Sequence, residues 1–529
     1  PLNIKKKKDD DEEEKITSER LVIYESRWSS SPPPAGHSDA TDDSASPSAG
    51  GSGLLSLPWE MVSHIASHLP AQCVITVLPK VCHALGNVGK DSTTWQLRAR
   101  RLVGSRASFP VGPREDFDWP SACLEMEQLI TCWTDQAHLV ARQTKQDEER
   151  EPIGEAQRAR RDVEPAAEGQ EEEQEDEGEG VGVVAQEVAY GVDEGMEVAL
   201  EGEDGEIQPI GCVDQLERLR EISQERHLAG RRILALERIA LPPEHFAQIN
   251  SVLLLGGEGA VCASGSRDWN VKLWDLQTGD AKLLHTLLGQ GAFSTHRGWV
   301  WCLASQGPML ASGGFDSTVR LWDLQAGGAE RGLIRAGASV HCLSYQSDVL
   351  LAGTFDKRVN MYDPRAAGPL VKSLRLHGNA VMCLAADEKY ILSGSTDSTV
   401  AVYDRRAGKA LKRLRLNSYL VSMSYSGCEL WAGDNTGMLH SFSFQAGTLQ
   451  PLSQFDVGHR ARITGIHRSP GSLYTCSSDH AVKIHIPCAP PRTLCTLQHQ
   501  DAVTGLSVQA GVLAFAFGDA YAEIWRPRK

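Results

Sequence analysis

Short apolar runs separated by polar turns fill the second half of the chain, and they follow one repeating pattern. A run of small and aliphatic residues leads into a turn that usually carries an aspartate, and an alternating apolar and polar run then ends in a large side chain. Alternation with a period of two predicts β-strands. Seven copies recur about every 40 residues, which predicts a mainly β protein with a seven-bladed propeller. The copies begin at Val261, Met309, Val349, Tyr390, Glu429, Ser472 and Val512.

Four of the turn aspartates have a histidine 20 positions upstream, in the pairs His296–Asp316, His377–Asp397, His459–Asp479 and His499–Asp519. Together with the period, this spacing resembles WD40 repeats. The resemblance implies a buried hydrogen-bonded chain in each blade, complete in blade two as His296, Ser312, Asp316 and Trp322. A buried carboxylate needs such partners. The fourfold recurrence favours a structural network over a Ser-His-Asp catalytic triad.

Two blades depart from the pattern, and the last blade lacks a strand. Ala336 and Leu416 stand at the histidine positions of blades three and five, and Thr436 stands at the aspartate position of blade five. We therefore expect these two blades to be softer. The chain ends after the third strand of blade seven, so a closed ring needs an outer strand from elsewhere. The segment from Arg232 to Ala240 precedes blade one and can supply it.

A second pattern, with helical spacing, covers residues 54–102. Its apolar positions recur every three or four residues and predict a small bundle of helices. They include Met61, Ile65, Leu69, Val74, Val77, Val81, Leu85, Trp95 and Leu102. The opening L-x-x-L-P-x-E, the central Val81-Cys82 and the late Trp95 resemble an F-box. An unrelated three-helix cap on the propeller is the alternative interpretation.

An F-box followed by WD40 repeats resembles the F-box/WD-repeat family of ubiquitin-ligase substrate receptors. The resemblance implies a non-catalytic adaptor, whose F-box binds the Skp adaptor of a ligase that also contains a cullin scaffold and a RING subunit. A protein substrate, whose identity the sequence does not give, would bind the propeller. By match to the family motif, the Skp contacts would be Leu54, Leu57, Pro58, Ile65, Leu69 and Val81. A WD40 scaffold that acts without ubiquitylation is the alternative.

Substrate binding is expected on the propeller face that carries the aspartate turns, at the residue before each aspartate and on the first strand after each histidine. The predicted contacts are Arg267, Trp299, Trp301, Phe315, His341, Phe355, Met382, Tyr419 and Arg462. Readers of phosphorylated peptides in the family carry several arginines there, because phosphate requires charge-assisted donors. Only Arg267 and Arg462 qualify here, on blades that we expect to lie far apart. The pattern therefore favours an apolar or aromatic peptide, although the aromatic residues could simply pack on one another.

The remaining segments complete the predicted domain organisation. We expect a disordered tail (1–53), the F-box (54–102), a helical linker (103–143), a disordered acidic insert (144–212), a linker helix (213–230) and the propeller (231–529). The net charge is −16, and residues 146–207 alone hold 23 acidic residues against four arginines. Such a segment cannot build a core. This balance also argues against nucleic-acid binding.

The 13 cysteines do not form a disulfide or zinc pattern. Cys302, Cys342 and Cys383 recur at one position of the first blade strand, which indicates core residues, and no C-x-x-C motif suggests a metal site. We therefore expect no metal and no cofactor. The sequence also shows no secretory signal and no run long enough to span a membrane. We expect an intracellular, cytoplasmic protein, with nuclear localisation left open.

Overall fold

The computed structural model describes residues 57–111, 117–134, 136–137, 236–257, 259–277, 280–290 and 294–528. Several predictions lie outside these residues. They concern the tail 1–53, Leu54, the acidic insert 144–212 and the linker helix 213–230.

Five helices form an N-terminal helical module. They are α1 (Trp59–His68), α2 (Ala71–Thr76), α3 (Leu78–Val81), α4 (His83–Val88) and α5 (Ser92–Val103). Pro58 and Pro70 precede α1 and α2, where a missing N–H costs no helical hydrogen bond. Asp91 caps α5, because its carboxylate accepts the Thr93 N–H at 2.9 Å. A further helix covers residues 119–134, inside the predicted helical linker 103–143. From here on, the term linker helix means this helix and not the helix predicted at 213–230.

Seven four-stranded antiparallel sheets follow, which confirms the predicted seven-bladed propeller. Blade one is β2 (Ile249–Leu255), β3 (Val261–Ser266), β4 (Val271–Asp275) and β5 (Lys282–Thr286). Blade two is β6 (Val300–Gln306), β7 (Met309–Gly314), β8 (Thr318–Asp323) and β9 (Ala329–Arg335). Blade three is β10 (Val340–Gln346), β11 (Val349–Thr354), β12 (Val359–Tyr362) and β13 (Leu370–Leu374). Blade four is β14 (Val381–Ala386), β15 (Tyr390–Ser395), β16 (Thr399–Asp404) and β17 (Lys409–Arg415).

The ring closes through a strand that comes from before blade one. Blade five is β18 (Leu420–Ser426), β19 (Glu429–Asp434), β20 (Met438–Gln445) and β21 (Thr448–Asp456). Blade six is β22 (Ile463–Arg468), β23 (Leu473–Ser477), β24 (Ala481–Ile486) and β25 (Arg492–Gln498). Blade seven is β26 (Val503–Gln509), β27 (Val512–Phe517) and β28 (Ala522–Pro527), completed by β1 (Leu236–Ala240), which pairs antiparallel with β28. The predicted closing strand is confirmed, and it leaves β28 with no exposed edge.

A β-bulge interrupts the first strand of every blade at its second residue. The register with the neighbouring strand shifts there in all seven sheets. A bulge re-aims the side chain of the extra residue. The bulge residues are Asn250, Trp301, His341, Met382, Val421, Thr464 and Thr504, and they reappear below as the lining of the central channel.

The linker helix packs between the helical module and blades six and seven. One buried core contains Trp95 of α5, Met126 and Trp133 of the linker helix, and Ile486 and Trp525 of the propeller. The rings of Trp133 and Trp525 lie 6.0 Å apart. The apolar side chains of the linker helix therefore form one continuous core with the helical module on one side and with blades six and seven on the other.

Polar contacts reinforce this packing on the module side. Arg98 is fully buried and pairs with Glu127 of the linker helix at 2.5 Å, while its other terminal nitrogen donates to the Ala66 carbonyl at 2.7 Å. Glu127 also accepts the Ala71 N–H at 2.7 Å. A buried guanidinium is stable only when it is paired and hydrogen-bonded, so Arg98 ties α1, α5 and the linker helix together.

Candidate functional site

The hydrogen-bonded network of blade two contains all four residues that the sequence grouped. Nδ1 of His296 lies 3.0 Å from Oδ2 of Asp316, and its Nε2 lies 2.8 Å from the Ser312 hydroxyl. The same hydroxyl oxygen accepts the Trp322 indole N–H at 2.9 Å. The chain thus runs from the turn aspartate to the third strand of the blade, and it locks the turn.

The charge state of Asp316 follows from these partners. Burial by itself would raise the pKa of this carboxyl, but the hydrogen bond and charge of His296 and the Arg297 N–H hold the pKa well below its usual range. The carboxylate of Asp316 therefore stays ionised at neutral pH, and its hydrogen bonds are made within blade two. That its role is structural remains a prediction.

Blades four and six use variants of the same network. In blade four, Thr399 stands between His377 and Asp397, because its hydroxyl lies 2.8 Å from His377 Nδ1 and 2.6 Å from Asp397 Oδ1. Burial lowers the pKa of His377 to about 4, so its imidazole is neutral at physiological pH. The Thr399 hydroxyl therefore donates to the Asp397 carboxylate, and the network does not require a positively charged His377.

In blade six, a histidine takes the place of the tryptophan. His459 contacts Asp479 at 3.0 Å and the Thr475 hydroxyl at 2.9 Å, and that hydroxyl lies 3.0 Å from Nε2 of His485. The pKa of His485 is lowered to about 3, mainly by complete burial and to a smaller extent by the charges of His459 and Lys483. Neutral His485 can therefore donate its N–H as the indole does in blade two.

Blade one also holds a complete network, which the sequence analysis missed. His245 lies 2.6 Å from Asp268 and 2.7 Å from the Ser264 hydroxyl, which accepts the Trp274 indole N–H at 2.8 Å. The histidine precedes its aspartate by 23 positions and not by 20, so a fixed spacing overlooks it. A search that allowed short insertions in the loop would have found it.

The pair predicted in blade seven is wrong. His499 and Asp519 form no hydrogen bond; Nε2 of His499 is buried without a partner among the described residues, and its ring packs 4.5 Å from that of Phe517. Burial and the neighbouring carboxylate of Asp501 raise the pKa of Asp519 instead. The spacing fails here because Asp519 faces another acid, so the turn is not locked by its histidine.

Blade five replaces the missing histidine and aspartate with other residues. Asp434, two positions before Thr436, is fully buried and lies 2.9 Å from Nε2 of His440 on β20, and it also accepts the Met438 N–H at 2.9 Å. Burial would raise the pKa of Asp434, but these contacts and the Ser418 hydroxyl hold it well below its usual range. That blades three and five are softer remains a prediction.

The seven bulge residues converge on the mouth of the central channel. A cavity of about 410 Å³ is lined by residues from the first strands of all seven blades. Five of the predicted substrate contacts line it: Arg267, Trp301, His341, Met382 and Arg462. Asn250 was missed because it lies five residues after His245, the histidine that the fixed spacing overlooked. Aspartate and glutamate are absent from the described lining residues.

An aromatic ladder extends from this mouth across blades two and three. The Trp299 ring lies 5.7 Å from Trp301 and 5.8 Å from Phe315, and His341 lies 5.9 Å from both Trp301 and Phe355. The rings pack on one another, as the alternative interpretation expected. Three of them are also exposed: Trp299 keeps 40%, Phe315 55% and Phe355 62% of its surface accessible.

Arg267 joins the ladder to the channel. Its guanidinium lies 4.6 Å above the Trp299 ring and 5.7 Å from that of Trp301, and its Nε donates to Asn250 Oδ1 at 3.2 Å. The pKa of Arg267 is lowered, mainly by burial and to a smaller extent by the positive charge of Arg462. The expectation that Arg267 and Arg462 lie far apart is therefore wrong. Blades one and six are separated only by blade seven, and both arginines reach the same cavity.

Two exposed aromatic residues on blade one were missed, and one predicted contact lies apart. Phe246 follows His245 with 80% of its surface exposed, and Trp269 follows Asp268 with 49% exposed. Tyr419 is not among the cavity lining; its backbone carbonyl accepts the Asn435 N–H at 3.1 Å. Phe246 and Trp269 were missed because only the residue before each aspartate and positions on the first strand had been considered, whereas these two residues directly follow the histidine and the aspartate.

The helical module presents apolar side chains on its outer surface. Leu57, Pro58, Ile65 and Val81, predicted to contact the Skp adaptor, are exposed, with Val81 at 64%. Leu69 is half-buried and packs against the shared core. Other exposed hydrophobic residues on this surface, here called the module surface, are Trp59, Met61, Ile75 and Val77. Val62, Ala66 and Val74 form the core behind it.

Metal-binding clusters, membrane-spanning helices and cysteine thiols are considered next for the residues that the structure describes. Within these ranges, no group of three or more His, Cys, Asp and Glu side chains could hold a metal ion, and no helix is long and apolar enough to cross a membrane. The predicted core cysteines Cys302, Cys342 and Cys383 are buried thiols. Burial raises the pKa of Cys383 to about 12, which leaves its thiol protonated and unreactive.

The repeats, the closed ring and the locked turns define a WD-repeat β-propeller protein with an N-terminal helical module. The WD40 family, described as WD domain, G-beta repeat, matches residues 238–275, 284–323 and 368–404. The WD40 β-propeller domain of Doa1 aligns with a TM-score of 0.48 at 19% identity, covering 55% of this chain and 96% of that one.

Two curated relatives match most of the chain. F-box/WD repeat-containing protein 9 of Bos taurus is 40% identical over 486 residues, which is 91% of this chain and 84% of the relative. The Homo sapiens protein of the same name is 36% identical over 477 residues, covering 90% and 82%. The chain belongs to the F-box/WD repeat-containing protein 9 family.

Proposed function

We propose that this protein is the substrate-recognition subunit of a Skp-cullin-F-box ubiquitin ligase. The helical module would be the F-box that binds the Skp adaptor, and through it the cullin scaffold and the RING subunit. The propeller would hold the substrate, so that catalysis belongs to the partners. In this role the protein works inside the cell, in the cytoplasm, with the nucleus left open.

The module surface is the observation that carries this proposal. Seven large hydrophobic side chains are exposed between Leu57 and Val81 although a buried core is available directly behind them. Exposed apolar clusters of this kind are typical of interaction surfaces. Full burial of such a side chain contributes about 1.5–3 kcal/mol, and each of these seven still has between 37% and 64% of its surface to bury, so together they can offset the cost of association.

The linker helix supports the same role. It shares one core with the module and with blades six and seven, and Glu127 binds the buried Arg98. A receptor must hold its substrate at a defined distance from the transferring enzyme, and a shared core fixes that geometry better than a flexible tether does.

The experiment compares the intact chain with an Ile65→Asp, Val81→Asp variant. Both side chains are exposed, so the fold should be retained while the apolar contact is lost. We expect the intact chain to co-elute with purified Skp adaptor and cullin in size-exclusion chromatography, and the variant to elute alone. The matched control is Leu370→Asp, Val371→Asp on β13, where two apolar residues that are 56% and 62% exposed should tolerate the change.

Failure of the intact chain to bind the adaptor would contradict the proposal. The protein would then be a WD40 scaffold whose helices cap the propeller.

A further inference from the structure

The outer edge of blade four carries a row of basic side chains. The segment 405–415, which covers the turn after β16 and the strand β17, contains six lysines and arginines and no acid. Every residue of β17 except the half-buried Leu414 is exposed. We call the five exposed basic residues of this segment the basic strip: Arg406, Lys409, Lys412, Arg413 and Arg415.

The charges of the basic strip are not compensated within the fold. Among the described residues, none of its five side chains forms a hydrogen bond or an ion pair. The acid nearest in the chain, Asp404, uses its carboxylate to accept the Ala407 N–H at 2.8 Å. On the outer strand of blade two, by contrast, Arg331 pairs with Asp323 at 2.6 Å.

Protection of a strand edge does not account for so many charges. Charged residues, lysine above all, commonly keep an outer strand from pairing with another chain. The outer strands β5, β13 and β25 each manage with one lysine or arginine, and β9 has two beside a glutamate. β17 has four among seven residues. Like charges held this close repel one another, so the basic strip indicates an anionic partner.

The chain itself contains a segment of matching charge. Residues 146–207 hold 23 acidic residues against four arginines, and seven of the nine residues from Glu171 to Glu179 are acidic. This insert accounts for the whole net charge of −16, and the rest of the chain is slightly basic. Complementary charge steers two such surfaces together and suppresses wrong partners.

The insert is attached close enough to reach the basic strip. The described chain stops at Ala137 and resumes at Leu236 on β1. At about 3.3 Å per residue, the stretch from Ala137 to Glu171 spans at most about 110 Å, whereas a folded unit of the propeller's length has a radius of gyration of about 19 Å. The attachment also raises the local concentration of these acids at the propeller surface.

We propose that the acidic insert binds the basic strip on the outer edge of blade four. The run from Glu171 to Glu179 supplies the carboxylates, and Lys409, Lys412, Arg413 and Arg415 supply the cations. The insert then covers an edge that other polyanions would otherwise occupy. This contact is made within one chain and needs no adaptor, so it goes beyond the proposed function.

The test is zero-length crosslinking of the full chain at high dilution. A carbodiimide joins a lysine amine to a carboxylate that contacts it, and mass spectrometry of the digested monomer band identifies the linked residues. The strip variant is Arg413→Gln, Arg415→Gln, which keeps Lys409 and Lys412 as reporters. Its matched control is Arg331→Gln, Arg335→Gln, two exposed arginines on the outer strand β9. Thermal unfolding checks that each variant folds.

We expect Lys409 or Lys412 to be linked to acids between Glu171 and Glu179. The yield of these links should fall about threefold or more in the strip variant, because several weak exposed ion pairs act together. It should also fall when salt is raised from about 0.05 M to about 0.5 M, which shortens the screening length. The control variant should give the yield of the intact chain.

Three outcomes would overturn the inference. The first is the absence of links from either lysine to residues 146–207 in the monomer. The second is an equal yield in the strip variant and the intact chain. The third is a set of links found only in dimer-sized products or only to acids outside the insert, since the occupant of the basic strip would then be a second copy or another segment.

Discussion

The carboxylate of Glu125 in the linker helix accepts a hydrogen bond from the Ser472 hydroxyl of blade six at 2.6 Å, although 347 positions separate the two residues. The same carboxylate accepts the Gly471 N–H at 2.8 Å and a hydrogen bond from the Ser469 hydroxyl. Around it, Ser108 and Ala489 form a two-way backbone bridge at 3.0 and 2.9 Å. The helical module and the propeller are therefore joined by directional contacts as well as by a shared core.

Replacing Glu125 by alanine should loosen this joint. The change leaves the Gly471 N–H and two hydroxyls without their acceptor, which we expect to cost about 1–3 kcal/mol. Hydrogen exchange of residues 469–472 and of the linker helix should speed up, while exchange in blade three stays the same. Glu388→Ala, at an exposed position of a blade turn, is the control; equal exchange in both variants would show that the contact contributes nothing.

Replacing Gly471 by alanine tests the same joint by steric means. An added Cβ would lie 2.4 Å from the Ala122 carbonyl and 2.9 Å from the Met126 N–H, both in the linker helix. Backbone atoms of a packed helix cannot yield cheaply, so we expect a loss of about 1–3 kcal/mol and earlier proteolysis of the linker helix. Gly368→Ala, which meets nothing within 4 Å, should leave both unchanged. Equal stability of the two variants would contradict the close packing.

Removing the histidine should destabilise the protein much more in blade one, where it is hydrogen-bonded, than in blade seven, where it is not. His245→Ala removes the partner of a buried aspartate and a buried serine, and we expect it to lower the free energy of unfolding by about 2–4 kcal/mol. His499→Ala removes a ring without hydrogen bonds to either predicted partner and should cost less than about 1.5 kcal/mol. Chemical denaturation of both variants provides the comparison. Equal losses of unfolding free energy would mean that the hydrogen bonds of His245 do not account for its contribution to stability.

Stability should fall with acid below about pH 6.5, where the buried histidines His377 and His485, whose pKa values are both lowered, begin to bind protons in the unfolded chain; the component to be tested is that of His377. Burial lowers its pKa from 6.5 to about 4 in the folded state, so the unfolded chain binds the proton more readily. The contribution is complete above pH 6.5 and is lost as the pH falls from there to about 4, a total on the order of 3 kcal/mol. The aspartates of the networks, with pKa values below their ordinary 3.8, act only at lower pH.

Denaturant unfolding of the intact chain and a His377→Gln variant, at about pH 7 and about pH 4.5, measures this component. The variant is less stable at the higher pH but should lose less on acidification. Parallel pH profiles would exclude His377 as the source.

Much of the propeller followed from the sequence because its signals are local. The period of the seven repeats, the alternation within strands and the segment before blade one were enough to predict the ring and its closing strand β1. The His296–Asp316 pair of blade two followed from one spacing, and the resemblance to WD40 repeats added Ser312 and Trp322. The same spacing failed where a loop had gained residues, at His245, and where the aspartate met another acid, at Asp519.

The sequence by itself determined the number of blades, the strand pattern and five of the residues that line the channel mouth, because each depends on contacts within one repeat. Only the tertiary structure decided that Arg267 and Arg462 reach one cavity, that Nε1 of Trp301 and Nε2 of His341 have no hydrogen bond among the described residues, and that Glu125 binds Ser472. These relationships join residues that are far apart in the chain. They depend on how the ring closes and how the linker helix packs, and such long-range geometry leaves no periodic trace in the order of the amino acids.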